Sequence, residues 1–119
     1  MEALLGSSVN FTWGFSGGIG TVHWGLAKAG FNVIDTRLVS IGQLGFVTLT
    51  MASVYAGRVN GRRSGNSSSG KVIFSLSNIT KDDERGYGCM INPTVPVVSS
   101  LVDAVHLTVV GEYYNHLSI

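Results

Sequence analysis

LSNITKDDERGYGCM, residues Leu76 to Met90, is the stretch on which the expected fold depends. Its ends carry apolar residues and its middle is short and charged, which predicts two strands joined by a polar corner. Within it, Asp83, Tyr87 and Cys89 lie at spacings of four and two residues. This order of a carboxylate, an aromatic ring and a thiol is the pattern from which the rest of the chain is interpreted.

The D-x-x-x-Y-x-C spacing resembles the corner between strands E and F of an immunoglobulin (Ig) superfamily domain. In that family the tyrosine hydroxyl bonds to backbone upstream of it, and the cysteine faces the core. Phe74, Leu76 and Ile79 stand where the family has its buried E-strand positions. The chain departs from the family at Arg85, where glycine is frequent, although Gly86 follows directly.

The rest of the chain, over residues 3–110, fits the same resemblance. Val9, Phe11 and Trp13 alternate along one face of strand B, and Trp24 stands at the place of the buried strand-C tryptophan. The resemblance implies an all-β, variable-type (V-set) sandwich of two antiparallel sheets with Greek-key connections. Other elements are predicted at residues 14–20 (turn), 31–41 (C′), 46–54 (C″), 58–59 (D), 61–70 (polar loop), 71–77 (E), 87–92 (F), 93–96 (turn) and 101–110 (G).

The disulfide that joins the two sheets in this family cannot form, because Trp13 stands where the first cysteine belongs and Cys89 is the one cysteine of the chain. By parity Cys89 faces inward, so we expect a buried thiol that packs against Trp13 and Trp24; an intermolecular disulfide would need it exposed. A native disulfide stabilises small secreted domains by about 2–5 kcal/mol. A buried Trp13 would offset part of that loss, provided that its ring N–H finds an acceptor.

The family also places an arginine in strand D that pairs with the corner aspartate. The resemblance implies Arg58 as the partner of Asp83, with Arg62 and Arg63 as alternatives. As a surface pair it would contribute about 0–1 kcal/mol. The residues expected to have structural roles are Trp13, Trp24, Arg58, Asp83, Tyr87 and Cys89.

Length and composition favour a single domain at residues 1–110, followed by a linker or tail at residues 111–119. The formal net charge is +1 and 13% of residues are charged, which argues against nucleic acid as a partner. No apolar run is long enough to predict a membrane span, and Met1 is not followed by a signal-peptide pattern. We therefore expect no direct contact of this domain with a membrane.

Two short motifs resemble catalytic or phosphate-binding loops but lack their context. Residues 14–18, GFSGG, match a hydrolase nucleophile elbow, and residues 65–71, GNSSSGK, nearly match a phosphate-binding loop. Both motifs require a helix that follows, and strands are predicted instead. His23, His106 and His116 have no metal-ligand spacing within one element, although His23 and His106 could become neighbours in a pH-sensitive contact. We expect no enzyme activity, cofactor or metal.

Three glycosylation sequons begin at Asn10, Asn66 and Asn78 and favour an extracellular protein. On the V-set layout all three lie on the A-B-E-D sheet, so glycans would shield it. The opposite G-F-C-C′ sheet has no sequon, and its outward positions are small, apolar or weakly polar, which favours an interaction surface. The predicted contact residues are His23, Gly25, Ala27, Gly88, Met90, Val102, Ala104 and His106.

Within the V-set the resemblance is to adhesion and recognition receptors. Residues 90–94, MINPT, are similar to the same region of myelin protein zero, and the loss of the first cysteine resembles V-set domains of invertebrate allorecognition receptors. These resemblances imply a recognition domain on a single-pass cell-surface receptor that binds itself or a related Ig-like domain. An immune-type receptor that binds a non-self ligand through its end loops is an alternative, and a glycan-binding or small-ligand-binding sandwich is another.

Overall fold

The computed structural model describes residues 1–28, 34–51, 53–66, 69–94 and 100–111. No helix in this part of the chain has the length and apolar character needed to cross a membrane. A single 3-10 turn spans Lys81–Asp83. The described strands are β1 (Glu2–Leu4), β2 (Val9–Ser16), β3 (Ile19–Ala27), β4 (Ile34–Ile41), β5 (Val47–Leu49), β6 (Val59–Gly65), β7 (Ser69–Leu76), β8 (Gly86–Pro93), β9 (Leu101–His106) and β10 (Thr108–Val110).

The strands form two antiparallel layers. One is a three-stranded sheet in the order β2-β7-β6, and the other is a five-stranded sheet in the order β5-β4-β3-β8-β9. Strands β1 and β10 form a separate parallel pair. This arrangement confirms the predicted V-set Ig-like sandwich, in which β2 to β7 correspond to strands B, C, C′, C″, D and E, β8 to strand F, and β9 with β10 to strand G.

The core lies between the layers and is built around aromatic rings. Trp24 stacks on Phe74 with ring centroids 5.4 Å apart and on Tyr87 at 5.6 Å, while Phe11 lies 5.3 Å from it at a tilt. All four side chains are fully buried, as are the predicted E-strand positions Leu76 and Ile79. Ring pairs of this kind each stabilise by about 0.5–1.5 kcal/mol beyond their burial.

Two predicted loops are largely strand. The polar loop expected at residues 61–70 is wrong, because β6 continues to Gly65 and pairs with β7 in a tight hairpin. Its outward side chains face solvent, so the strand has the composition of a loop. Gly70 is required where the two backbones meet, since a Cβ there would lie 2.0 Å from the Ser64 carbonyl oxygen. The turn expected at residues 14–20 is also shorter than predicted: it consists of Gly17 and Gly18, between β2 and β3.

The strands predicted around the sheet edges differ in extent. β5 is only three residues long, whereas strand C″ was predicted at residues 46–54. The predicted G strand divides at Leu107, which is fully buried and donates its N–H to the Arg85 carbonyl. The chain changes partner there, from β8 to β1. Residues 29–33, 95–99 and 112–119 lie outside the described residues, so parts of the C′ and F–G predictions and most of the predicted tail are not described.

Candidate functional site

The corner between β7 and β8 is organised by one buried carboxylate. Asp83 is 2% exposed, and its Oδ2 accepts hydrogen bonds from the Thr80 backbone N–H at 2.8 Å and from Arg58 Nη2. Arg58 also donates Nε to the Ser77 carbonyl at 3.2 Å, which ties the start of β6 to the end of β7. Arg58 is therefore the partner of Asp83. The expectation of a surface pair is wrong, because the Arg58 side chain is only 16% exposed.

The tyrosine hydroxyl closes the corner as the family resemblance implies. Tyr87 donates its hydroxyl to the Asp83 carbonyl at 2.7 Å. The hydroxyl of Tyr55 lies 3.3 Å from that of Tyr87, and burial followed by this contact raises the pKa of Tyr87 well above its ordinary value. Tyr55 was not predicted, because it lies between the C″ and D strands, outside any periodic pattern.

A second set of side-chain hydrogen bonds joins the corner between β7 and β8 to β10. Glu84 Oε1 accepts the Val109 N–H at 2.8 Å and a bond from Lys81 Nζ at 3.1 Å, and Lys81 Nζ also donates to the Val109 carbonyl at 3.0 Å. The backbone bond from Val109, and then the bond from Lys81, lower the pKa of Glu84. The side chains of Glu84 and Lys81 thus hold β10 in place where the chain no longer pairs with β8.

The site of the missing disulfide contains a free, buried thiol and a half-exposed indole. Burial raises the pKa of the Cys89 thiol to about 12, and the negative charge of Asp103 adds to the effect. Trp13 points inward but is only partly buried, so the expectation of a core indole is wrong. The reason is its place on β2, an edge strand, opposite the edge strand β9 of the other sheet.

The ring N–H of Trp13 does have an acceptor. Trp13 Nε1 donates to Asp103 Oδ2 at 2.7 Å, a bond that joins β2 to β9 across the two sheets. Asp103 pairs directly with Cys89 in the β8–β9 ladder, so this bond lies beside the unbridged thiol. Asp103 was not predicted, although its inward parity in strand G was visible in the sequence.

The three sequons lie on or at the ends of strands of the three-stranded sheet. Asn10 is exposed on β2, in a row with Ser75 and Asn60. Asn66 lies in the β6–β7 hairpin, where its Oδ1 accepts the Ser69 N–H at 3.0 Å. Asn78 follows β7 and is exposed. Residues 67–68 lie outside the described residues, and glycosylation at the three asparagines stays a prediction.

We use the term bare face for the outward positions of β3, β8 and β9 in the five-stranded sheet. His23, Met90 and Val102 form one row across it. His23 Nδ1 is 2.7 Å from Ser40 Oγ, and burial, followed by the positive charge of Arg37, lowers its pKa. The outward positions of the three strands carry no Asp, Glu, Lys or Arg. His23, Met90, Val102 and Ala104 are partly exposed there and His106 is exposed.

Three predicted contact residues of this face are buried. A register shift after Trp24 brings the neighbouring strand so close to Gly25 that a Cβ there would lie 1.9 Å from the Thr36 carbonyl oxygen. Gly88 is covered by Ile34, whose Cγ1 would lie 3.4 Å from a Cβ on Gly88.

Ala27 is buried as well and pairs with Ile34 in the same ladder. Ile34 of β4 thus supplies apolar surface next to the bare face where Gly25, Ala27 and Gly88 were predicted to do so.

The two histidines of the face are not neighbours. His23 pairs with Met90 and His106 pairs with Gly86, so they are four residues apart along β8. That separation corresponds to about 13 Å along the strand. The alternative of a pH-sensitive contact between them is therefore wrong.

Neither motif with a catalytic resemblance is followed by a helix. Ser16 ends β2 at a glycine corner from which β3 continues, and the described residues of the second motif, 65–66 and 69–71, belong to the β6–β7 hairpin. Within the described ranges, no group of three His, Cys, Asp or Glu side chains is placed to hold a metal ion.

An apolar cleft of about 400 Å³ opens at the loop end of the sandwich. It lies between the β2–β3 corner and the ends of β8 and β9, and it was not predicted. Its apolar lining side chains are Phe15, Ile19, Ile91, Pro93 and Leu101.

No family model and no curated protein matches the chain. The solved structures that are similar to it include two Ig-like domains. One was reported with photo-crosslinking analyses of multimeric cell-adhesive interactions of VGSC beta subunits; it is 14% identical, with a TM-score of 0.66, over 92% of this chain and 89% of that one. The other is murine CRIg, which is 14% identical with a TM-score of 0.72, over 93% of this chain and 92% of that one. The chain therefore has the fold of an Ig-like V-set domain.

Proposed function

We propose that the chain is an extracellular recognition domain that binds another Ig-like domain through the bare face. The observation that carries the proposal is the contrast between the two outer surfaces. The outward positions of β3, β8 and β9 carry no charged side chain, whereas the outer surface of the three-stranded sheet carries Arg62 and Lys71 together with the sequons. A binding partner can exclude water from an uncharged face without the free-energy cost of desolvating charged groups.

The chemistry of the bare face suits a flat partner. Met90 presents apolar surface at the centre of the row and Val102 at its end on β9, and a methionine adapts its shape to different partners. Ile34 extends this surface onto β4, the strand on which Arg37 and Asp35 are exposed. A partly apolar centre beside charged side chains is the usual composition of a protein interface.

In its finer form the proposal is homophilic binding between cells, by a domain of a single-pass cell-surface receptor. A second copy presents the same uncharged face, so face-to-face docking creates no repulsion between like charges. The VGSC beta subunit neighbour is described in terms of multimeric cell-adhesive interactions, which supports the same class of function. The resemblance to allorecognition receptors extends the proposal to discrimination of self from non-self.

Replacement of Met90 by Arg tests the proposal. In two facing copies the new guanidinium would be buried without a partner, so self-association should weaken in sedimentation equilibrium while the melting temperature is kept. Thr12→Arg is the matched control, because Thr12 is exposed on the outer surface of β2. Since Thr12 completes the Asn10 sequon, all variants are compared as unglycosylated proteins. If Met90→Arg associates as the unmodified chain does, the bare face is not the interface. If the unmodified chain is a monomer at every concentration, homophilic binding is excluded.

The cleft at the loop end favours a second candidate, a receptor that binds a non-self ligand through its end loops. Its apolar lining would accept an apolar side chain of that ligand. Leu101→Glu, at an exposed position of the lining, would then weaken binding to cells that display the ligand, whereas Met90→Arg would not. The opposite pattern supports the bare face.

A further inference from the structure

The outer edge of β5 is an open strand edge. The Gly42 N–H donates to the Phe46 carbonyl at 2.8 Å, and the Thr50 N–H donates to the Leu38 carbonyl at 2.9 Å. Backbone groups alternate in direction along a strand, so those of Thr48 also point to β4. The N–H and C=O groups of Val47 and Leu49 therefore point away from the sheet. In the described part of the chain no strand pairs with this edge.

The same edge is apolar and uncharged. Residues 42–57 contain no Asp, Glu, Lys or Arg, and no proline. Leu44, Phe46, Met51 and Val54 are 77–86% exposed, and Val47 and Leu49 are more than a third exposed. Proteins usually protect an edge strand from pairing with charged side chains, prolines or bulges, and β5 has none of these.

We propose that β5 pairs antiparallel with β5 of a second copy of this chain, around a two-fold axis beside Thr48. This joins two five-stranded sheets into one continuous sheet. The proposal concerns a surface other than the bare face and does not depend on the function proposed for it.

The register follows from the directions of the open groups. Val47 and Leu49 supply the outward N–H and C=O groups, so Val47 of one copy would exchange hydrogen bonds with Leu49 of the other. Thr48 then lies opposite Thr48 of the second copy in a pair without hydrogen bonds, with Cα atoms about 4.5 Å apart. Opposed threonines are favourable cross-strand neighbours.

A second copy fits this edge better than a charged peptide does. A two-fold axis places residues that lie near it close to their own counterparts, which would oppose like charges at a charged edge. The absence of charge from residues 42–57 removes that penalty, and it also leaves nothing to attract an acidic or basic partner. The exposed side chains of Phe46 and Leu44 beside β5 add apolar area to such a contact.

The geometry also relates the edge to the bare face. A two-fold axis between antiparallel edge strands is perpendicular to the sheet, so both bare faces point to the same side. The pair would present two copies of that face to an opposing surface, which raises avidity without new contacts.

Oxidative crosslinking of Thr48→Cys tests the pairing. The two thiols would lie within disulfide distance, and Cys89 is buried and does not compete. We expect a covalent dimer to form at micromolar concentration, at least about tenfold faster than for Thr12→Cys, the exposed control on β2. Equal rates for the two variants would overturn the proposal.

Thr48→Lys provides an independent test, because it opposes two like charges at the axis. With Met90→Arg present in both variants to remove association through the bare face, we expect Thr48→Lys to weaken the dimer about fivefold in sedimentation and Thr12→Lys to leave it unchanged. Addition of Met90→Arg to Thr48→Cys should leave crosslinking intact, since the two surfaces are separate. Loss of crosslinking in that double variant, or an unchanged dimer in Thr48→Lys, would overturn the edge pairing and leave the bare face to be judged by Met90→Arg alone.

Discussion

The corner around Asp83 and the site of the missing disulfide around Trp13, which we term the gap, both hold separate strands together. They do so in opposite environments. At the corner a carboxylate that is 2% exposed accepts bonds from a guanidinium and a backbone N–H. At the gap a half-exposed indole donates to the exposed carboxylate of Asp103. Both contacts use one aspartate, so the difference between them lies in the access of water.

Water decides what each contact contributes. At the gap water can replace the lost partner, so the bond between Trp13 and Asp103 competes with solvation and its net worth is small. At the corner Asp83 is only 2% exposed, so removal of its carboxylate leaves the largely buried charge of Arg58 without its carboxylate partner. The chain therefore depends on the corner for stability far more than on the contact beside the missing disulfide.

Removal of the corner carboxylate should have the largest effect. We expect Asp83→Ala to lower the free energy of unfolding by about 3–5 kcal/mol, because Arg58 and the Thr80 N–H both lose their acceptor. Urea unfolding followed by fluorescence measures it. Asp82→Ala, at the exposed neighbouring position, is the control and should change the free energy by less than about 0.5 kcal/mol. Similar losses of unfolding free energy for the two variants would mean that water has access to the carboxylate of Asp83.

Removal of the tyrosine hydroxyl should have the next largest effect. Tyr87→Phe leaves the Asp83 carbonyl without its donor and should cost about 1–3 kcal/mol of unfolding free energy. Tyr55→Phe is the control, because among the described residues the hydroxyl of Tyr55 is hydrogen-bonded only to that of Tyr87, at 3.3 Å, so its loss should be smaller. A larger loss for Tyr55→Phe would mean that the contact between the two hydroxyls, and not the corner bond, carries the stability.

The sequence predicted the corner well because its contacts are local. Asp83 and Tyr87 are four residues apart, and the family spacing assigns both their roles. The pairing with Arg58 is not local; the family resemblance implied it and left Arg62 and Arg63 as alternatives. The sandwich itself was predictable for the same reason, since alternation along β2 and β7 marks which side chains are buried.

The bare face was predicted only in part. Parity assigns outward positions correctly along β8 and β9, as Met90 and Ala104 show. Parity cannot locate a register shift, and the shift after Trp24 is what buries Gly25 and brings Ile34 over Gly88. Short polar strands such as β6 were mistaken for loops because their outward side chains have the composition of a loop.

Loss of the indole N–H should have a smaller effect than either corner variant. Trp13→Phe keeps a ring beside Phe11 and Phe74 but removes the donor to Asp103, so we expect a loss of about 0.5–1 kcal/mol. Asp103→Asn, which keeps an acceptor, is the matched control and should lose less. A loss above about 2 kcal/mol for Trp13→Phe would show that the bond is shielded from water and that the gap resembles the corner.

Reductant should have no effect on stability, because in the described structure Cys89 is a free, buried thiol. We expect dithiothreitol to leave the melting temperature unchanged at neutral pH and iodoacetamide to react only with unfolded chains. The test belongs at neutral pH, since the thiol has a pKa of about 12 in the folded chain against an ordinary value of 9.0. Between these values the unfolded thiol ionises and the folded one does not, so stability falls as the pH rises. A lower melting temperature with reductant at neutral pH would require a disulfide through Cys89, and the sandwich would not then be held by packing and the corner alone.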